Sequence, residues 1–129
     1  MRMNREIKFR AWNKKHKEFY YSHSKKKEVI SEYQKLEIFF KVVQEYKNEF
    51  EFPNQFTGLK DKNGKEIYEG DILSPSLREV LWRKGEYGDG DGWYTESHKL
   101  KTGYWSLSKT QTENSEIIGN IYENRELLG

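Results

Sequence analysis

The chain has 129 residues, 34% of them apolar and 34% charged, a length that suits one domain and an apolar share that leaves the core to bulky side chains. Aromatics supply them: 20 residues are Phe, Tyr or Trp while alanine occurs once, at Ala11, a balance that favours strands over helices. The net charge is only +2, and the absence of cysteine excludes disulfides, thiolate nucleophiles and thiolate metal sites, as fits a reducing cytoplasm.

Residues 6 to 12 alternate, with Ile7, Phe9 and Ala11 on one face and Lys8, Arg10 and Trp12 on the other, the period of a half-buried strand. Asn13-Lys14-Lys15-His16 reads as a turn, Lys17 to Ser22 as the return strand of a hairpin, and His23 to Lys27 as a solvated loop. Between 31 and 50, Leu36, Phe39, Phe40, Val43, Tyr46 and Phe50 recur at helical spacing behind a capping Ser31, with Pro53 as a stop. The spacing predicts a helix, although the β-branched and aromatic run from Glu37 to Val43 also suits a buried strand.

Asn63-Gly64 predicts the tip of a β-hairpin with a type I′ turn, because these two residue types best tolerate positive φ. Ile67 and Tyr68 start a strand, Glu69-Gly70-Asp71 makes a second turn or bulge, and Ile72-Leu73 resume the apolar run. A loop at Ser74-Pro75-Ser76 leads to a strand over 79–83, then to a connection crowded with Gly85, Gly88, Gly90 and Gly92. Trp93 to Thr95, Gly103 to Leu107 and Ser115 to Ile121 add strands, and Tyr122 to Leu128 can close with a helical turn. Short strands separated by glycine-rich turns predict a mainly β, α+β fold: a small SH3-like β-barrel with an N-terminal β-hairpin and one helix. One domain over 1–129 is expected, with the hairpin and helix in 1–54 and the barrel in 55–129. Its interior should include Phe9, Ile67, Tyr68, Ile72, Trp105, Ile118 and Ile121.

Three separated blocks carry a family resemblance: Ile7 to Trp12, Gln55 to Leu73 and Ile117 to Leu128, together a little over a quarter of the chain. They resemble the YopX family, small proteins of phages and prophages. Arg125 stands where that family's last block usually has proline. The resemblance implies a phage or prophage origin and hence a host-cytoplasmic location. It assigns no catalytic residue.

The N-terminus lacks an apolar run of signal-peptide length, and no uninterrupted apolar stretch approaches the roughly 18 residues of a spanning helix. Neither export nor a membrane partner is expected. Asp89-Gly90-Asp91-Gly92 lacks the third carboxylate and closing glutamate of a calcium loop, and His16, His23 and His98 share no ligand spacing. No metal, cofactor or catalytic group is therefore expected. Asp71, two residues beyond Glu69, reads as a turn residue rather than an acid-base group.

Charge is distributed unevenly. Residues 1 to 27 carry ten Lys or Arg against Glu6 and Glu18, a balance of +8, whereas residues 112 to 129 carry −3. Lys8, Arg10, Trp12, Lys14, Lys15, Lys17, Lys25, Lys26 and Lys27 form the candidate polyanion-binding set, since cations neutralise phosphate while exposed aromatics stack on bases. Three functional readings follow. The first is an accessory protein that acts by binding or assembly, as a homo-oligomer joining basic and acidic surfaces. The second is a nucleic-acid-binding module using the basic hairpin, for which an acidic protein is an alternative partner. The third is an enzyme of unknown reaction.

Overall fold

The computed structural model describes residues 6–23, 31–83, 92–99 and 103–129. The fold is mainly β and antiparallel, and it divides into two compact units, Met1–Phe56 and Thr57–Gly129. The Gly/Asp stretch from Gly85 to Asp91 and the lysines Lys25, Lys26 and Lys27 lie outside the described residues.

In the first unit, strand β1 (Phe9–Asn13) pairs with β2 (Glu18–Tyr21) and with the start of β3 (Asn54–Lys60). The turn between β1 and β2 is held by Asn13, whose Oδ1 accepts the Lys15 and His16 N–H groups at 2.9 Å each, and it leaves Lys17 at a φ of 57°. Helix α1 (Glu32–Glu45) begins with a capping box: Ser31 Oγ accepts the Gln34 N–H and Gln34 Oε1 accepts the Ser31 N–H. The helical reading of this segment is thus correct, but the helix stops at Glu45, well short of Pro53. Phe39 carries the packing, stacked on Phe9 and Tyr20 with ring centroids at 6.5 and 5.2 Å, while Phe40 and Tyr46 are exposed.

The expected outward face of β1 is not solvated. Arg10 and Trp12 are both buried, because Phe19 on β2 receives the Arg10 guanidinium at 4.0 Å and the Trp12 ring edge-on at 5.0 Å. With Phe39 of α1 against Phe9 on one face and Phe19 against Arg10 and Trp12 on the other, the alternation of this strand separates two packed layers rather than core from water.

The second unit contains the rest of β3, then β4 (Glu66–Tyr68), β5 (Asp71–Leu73), β6 (Arg78–Arg83), β7 (Gly92–Ser97), β8 (Tyr104–Ser106), the short helix α2 (Lys109–Glu113) and β9 (Ile117–Asn120). A 3-10 turn over Arg125–Leu128 closes the chain. A five-stranded sheet of order β8-β7-β6-β5-β9 curls around Ile67, Leu73, Val80 and Leu107, giving a barrel-like half-shell. Helix α2 was not legible from periodicity: it is five residues long, and Ser108 caps it by accepting the Gln111 N–H.

The hairpin between β3 and β4 is present, with a different turn from the expected one. Gly64 alone has positive φ, at 80°, while Asn63 does not, and the Gly64 N–H donates to the Asp61 carbonyl. That is a type I turn closed by a left-handed glycine, the three-residue hairpin loop. Asp61 explains the choice, since its Oδ1 accepts both the Asn63 and Lys65 N–H groups at 2.9 Å. Gly64→Val should destabilise the protein by about 1–2 kcal/mol, because a β-branched residue is penalised at positive φ. Chemical denaturation checks this, and an unchanged midpoint would contradict the turn assignment.

At Glu69-Gly70 the chain turns out of the β3–β4 ladder into the five-stranded sheet, with Gly70 at a φ of 89°. Asp71, buried, accepts the Tyr68 N–H at 2.8 Å, which is structural use of that carboxylate. Of the expected interior, Ile67, Tyr68 and Ile72 are buried and Phe9 and Ile121 half-buried. Trp105 and Ile118 are corrections, at 45% and 38% exposure. Both sit on the edge strands β8 and β9, whose outer flanks have no neighbouring strand to cover a large side chain.

Candidate binding surfaces

The basic hairpin presents less free charge than its sequence suggests. Lys14, Lys15 and Lys17 lie exposed on the β1–β2 turn, but Lys15 Nζ is 3.4 Å from Glu49, and Lys8 Nζ is 2.8 Å from Glu6 and lies over the Phe56 ring. Arg10 Nε donates to Asn54 Oδ1 at 3.4 Å and Trp12 is enclosed, so neither is presented for phosphate or base contacts. The turn therefore gathers three lysines, and the aromatic component reduces to Tyr21, 40% exposed on β2.

A more pronounced feature of the first unit is apolar. Seven of the eleven large hydrophobic side chains exposed among the described residues belong to it: Ile7, Tyr21, Tyr33, Ile38, Phe40, Tyr46 and Phe52. Tyr33, Phe40 and Lys47 follow one stripe of α1 and its continuation at spacings of seven. Phe40, Val43, Phe50, Phe52 and Pro53 line a groove of about 350 Å³ there. Phe52 is 89% exposed. The sequence carried a signal for this, since a helix whose apolar positions run 36, 38, 39, 40, 42, 43 and 46 has more apolar surface than one packed face can absorb.

The second unit contributes a pocket of about 270 Å³ at the end of its half-shell, between the β5–β6 turn, β8 and α2. Arg78 on β6 forms its floor. By register, Arg78 faces Ser97, Val80 faces Thr95, and Thr95 faces Trp105, so these side chains share the concave face of the sheet. Arg78 is 3% exposed; its Nε donates to Thr95 Oγ1 at 2.9 Å, and Nη2 donates to the carbonyls of Thr95 and Gly103 at 2.9 and 3.1 Å. The Arg78 guanidinium carbon lies over the Trp105 ring, 3.7 Å from its centroid. Nη1 has no acceptor among the described residues, and a buried donor left unsatisfied costs about 1–3 kcal/mol. Burial pushes the Arg78 value below the ordinary arginine one, an effect opposed by the field of Glu96. The side chain remains a cation at neutral pH.

The turn that forms one wall, Ser74 to Leu77, contains a cis Ser74-Pro75 peptide and places Leu77 at a φ of 51°, a region a leucine seldom adopts. Arg78 was missed in the sequence because its strand was read as starting at Glu79. Extending the alternation back by one residue puts Arg78 on the face of Val80 and would have flagged it.

On the outer face of the same sheet His98 Nε2 and Glu79 Oε1 are 2.8 Å apart, a surface pair. Among the described residues no group of three or more His, Asp or Glu could hold a metal ion. Among the described residues no helix is long and apolar enough to cross a membrane.

Comparison with known proteins adds a family and a fold. No curated protein matches the chain. A protein of known structure, EF1440 from Enterococcus faecalis, is similar over 98% of this chain and 100% of its own, with a TM-score of 0.59 and 23% identity, a likeness of fold. The family model described as "YopX protein" matches residues 8–129, from the first strand through the closing turn, and the chain belongs to the YopX family.

Proposed function

We propose that the protein acts by binding rather than by catalysis, as an accessory protein of phage or prophage origin working in the host cytoplasm, and that it assembles with further copies of itself. The exposed apolar groove of the first unit carries this reading: a phenylalanine left almost wholly in water, as Phe52 is, contributes nothing to folding and suits a contact surface. Charge favours a second copy as the occupant. Met1–Phe56 holds thirteen Lys or Arg against eight acidic residues, while Thr57–Gly129 holds ten against thirteen, so the first unit of one chain is complementary to the second unit of another. Such a contact is head-to-tail, and its electrostatic part weakens with salt.

Light scattering across protein concentration at low and high salt tests the proposal. Reversible oligomers are expected, less populated at high salt, and Phe52→Ser should weaken association about tenfold or more while leaving the melting midpoint unchanged. A chain that stays monomeric at every concentration in low salt would refute self-assembly.

The lysines of the β1–β2 turn support a second reading, nucleic-acid binding. If Lys14, Lys15 and Lys17 each contact a phosphate, affinity for a labelled single-stranded oligonucleotide should fall with a log-log salt slope of about −2. Reversing those three charges should abolish it without changing the melt. Anisotropy that stays flat at low salt would rule this reading out.

A further inference from the structure

We propose that the pocket floored by Arg78 binds the oxyanion group, phosphate or carboxylate, of a small ligand, which accepts a hydrogen bond from Arg78 Nη1 beneath Trp105. The inference stands on the second unit alone, so a monomeric chain in the scattering experiment would leave it intact.

The donor balance of the pocket carries the argument. Its described lining residues include one cation and no carboxylate. Arg78 spends Nε and Nη2 on Thr95 and Gly103, which fixes the plane of the guanidinium and leaves Nη1 as a pre-positioned, unpaired donor. An arginine buried to this depth ordinarily finds a carboxylate, and here the acidic neighbour that acts on it, Glu96, exerts only a field. The remaining groups are donors as well. Ser74 Oγ accepts the Glu116 N–H, which leaves its own proton to give, and the Ser76 hydroxyl and Gln111 carboxamide have no side-chain partner among the described residues. Asn114 uses its amide toward the Thr110 carbonyl and keeps a second N–H. A described lining that holds an unpaired cationic donor, neutral groups able to donate and no carboxylate favours an anion, and charge-assisted hydrogen bonds to arginine are the strongest kind available to it.

Size and access point the same way. A volume of about 270 Å³ is at the small end for ligand sites, which restricts the ligand to a compact molecule or one end of a longer one. Nη1 is shut from solvent and the guanidinium lies over Trp105, yet Trp105 sits on the three-residue edge strand β8 and is itself 45% exposed, so it can move aside and re-stack on a planar ligand or on the guanidinium. The positive φ of Leu77 beside Arg78 is a strained backbone geometry of the sort concentrated at ligand-binding turns.

The experiment is a titration of the full chain with inorganic phosphate, and separately with acetate, against chloride at equal ionic strength, read by the NMR signals of the Arg78 Nε–H and the Trp105 indole. Saturable shifts of both signals with at least one of the two anions are expected. Whichever anion binds more tightly identifies the oxyanion source, and equal binding assigns the site to the shared chemistry. Gln111→Glu places a carboxylate in the pocket while keeping a helix-compatible residue behind the Ser108 cap, so it should preserve the fold and weaken binding about tenfold or more. Shifts no larger than those in chloride, or undiminished binding in Gln111→Glu, would overturn the proposal.

Discussion

Phe39→Ala is expected to lower stability by about 3–5 kcal/mol. Phe39 is 1% exposed and is the one fully buried side chain of α1 among the described residues, with Leu36, Val42 and Val43 only half-covered. Its ring meets Phe9, Tyr20 and Phe40 at centroid distances of 6.5, 5.2 and 5.2 Å, so truncation removes the knob that holds the helix to the β1–β2 hairpin. Loss on that scale is comparable to the entire stability of a small domain. Phe40→Ala is the control: at 42% exposure it loses much less burial and should cost about 1 kcal/mol. Urea unfolding of both variants checks the ordering, and a Phe39→Ala midpoint equal to the parent's would remove α1 from the core.

Asp61→Ala is expected to cost about 3 kcal/mol. Its two carboxylate oxygens accept three backbone N–H groups, those of Asn63 and Lys65 within the hairpin loop and that of Ile117 on β9 at 3.0 Å. One side chain thus fixes the loop conformation and pins it to a segment 56 residues away. Burial alone would raise the Asp61 value, but the hydrogen bonds from Ile117, Lys65 and Asn63, with the charge of Lys65, outweigh it and hold the carboxyl below its ordinary value. The sign follows from linkage: a carboxyl depressed in the folded state contributes stability that is fully present above the unfolded value of about 3.9 and is lost as pH falls through the depressed folded value. The parent should therefore lose stability in acid below about pH 4, and Asp61→Asn should flatten that part of the profile. A variant with the same acid limb as the parent would show that other carboxyls account for it.

Asp61 also gives a physical reason for the recurrence of two of the three family blocks. Gln55 to Leu73 and Ile117 to Leu128 are direct partners: β5 pairs with β9 through Asp71 and Asn120 and through Ile72 and Gly119, and Gly70 accepts the Ile121 N–H. Displacing either block would cost the other backbone hydrogen bonds, and loss of the Asp61 carboxylate would remove the bond to the Ile117 N–H.

Local chemistry was legible wherever it determines the backbone by itself. The alternation of residues 6 to 12, the polar Asn13 turn, the Ser31 cap, and Gly64 after Asn63 each specify a conformation through contacts within a few residues, and the structure places a strand, a turn, a helix start and a hairpin there. The turn type was misread because Asn63-Gly64 was weighed without Asp61, whose Oδ1 accepts the Asn63 and Lys65 N–H groups and favours the longer loop.

Tertiary structure decided which faces meet water. Periodicity says that Arg10 and Trp12 share a face of β1, but only the position of Phe19 across the ladder makes that face a packed layer. Likewise Trp105 and Ile118 carry the apolar signature of core residues, and their exposure follows from strand order, which puts β8 and β9 at the two edges of the sheet. Arg78 is the converse case, a charge driven inside because its strand is central and its register points it at the concave face. Sequence fixes what each residue prefers within its own element. Whether that preference is met depends on which element lies beside it, since burial is a property of neighbours and not of spacing.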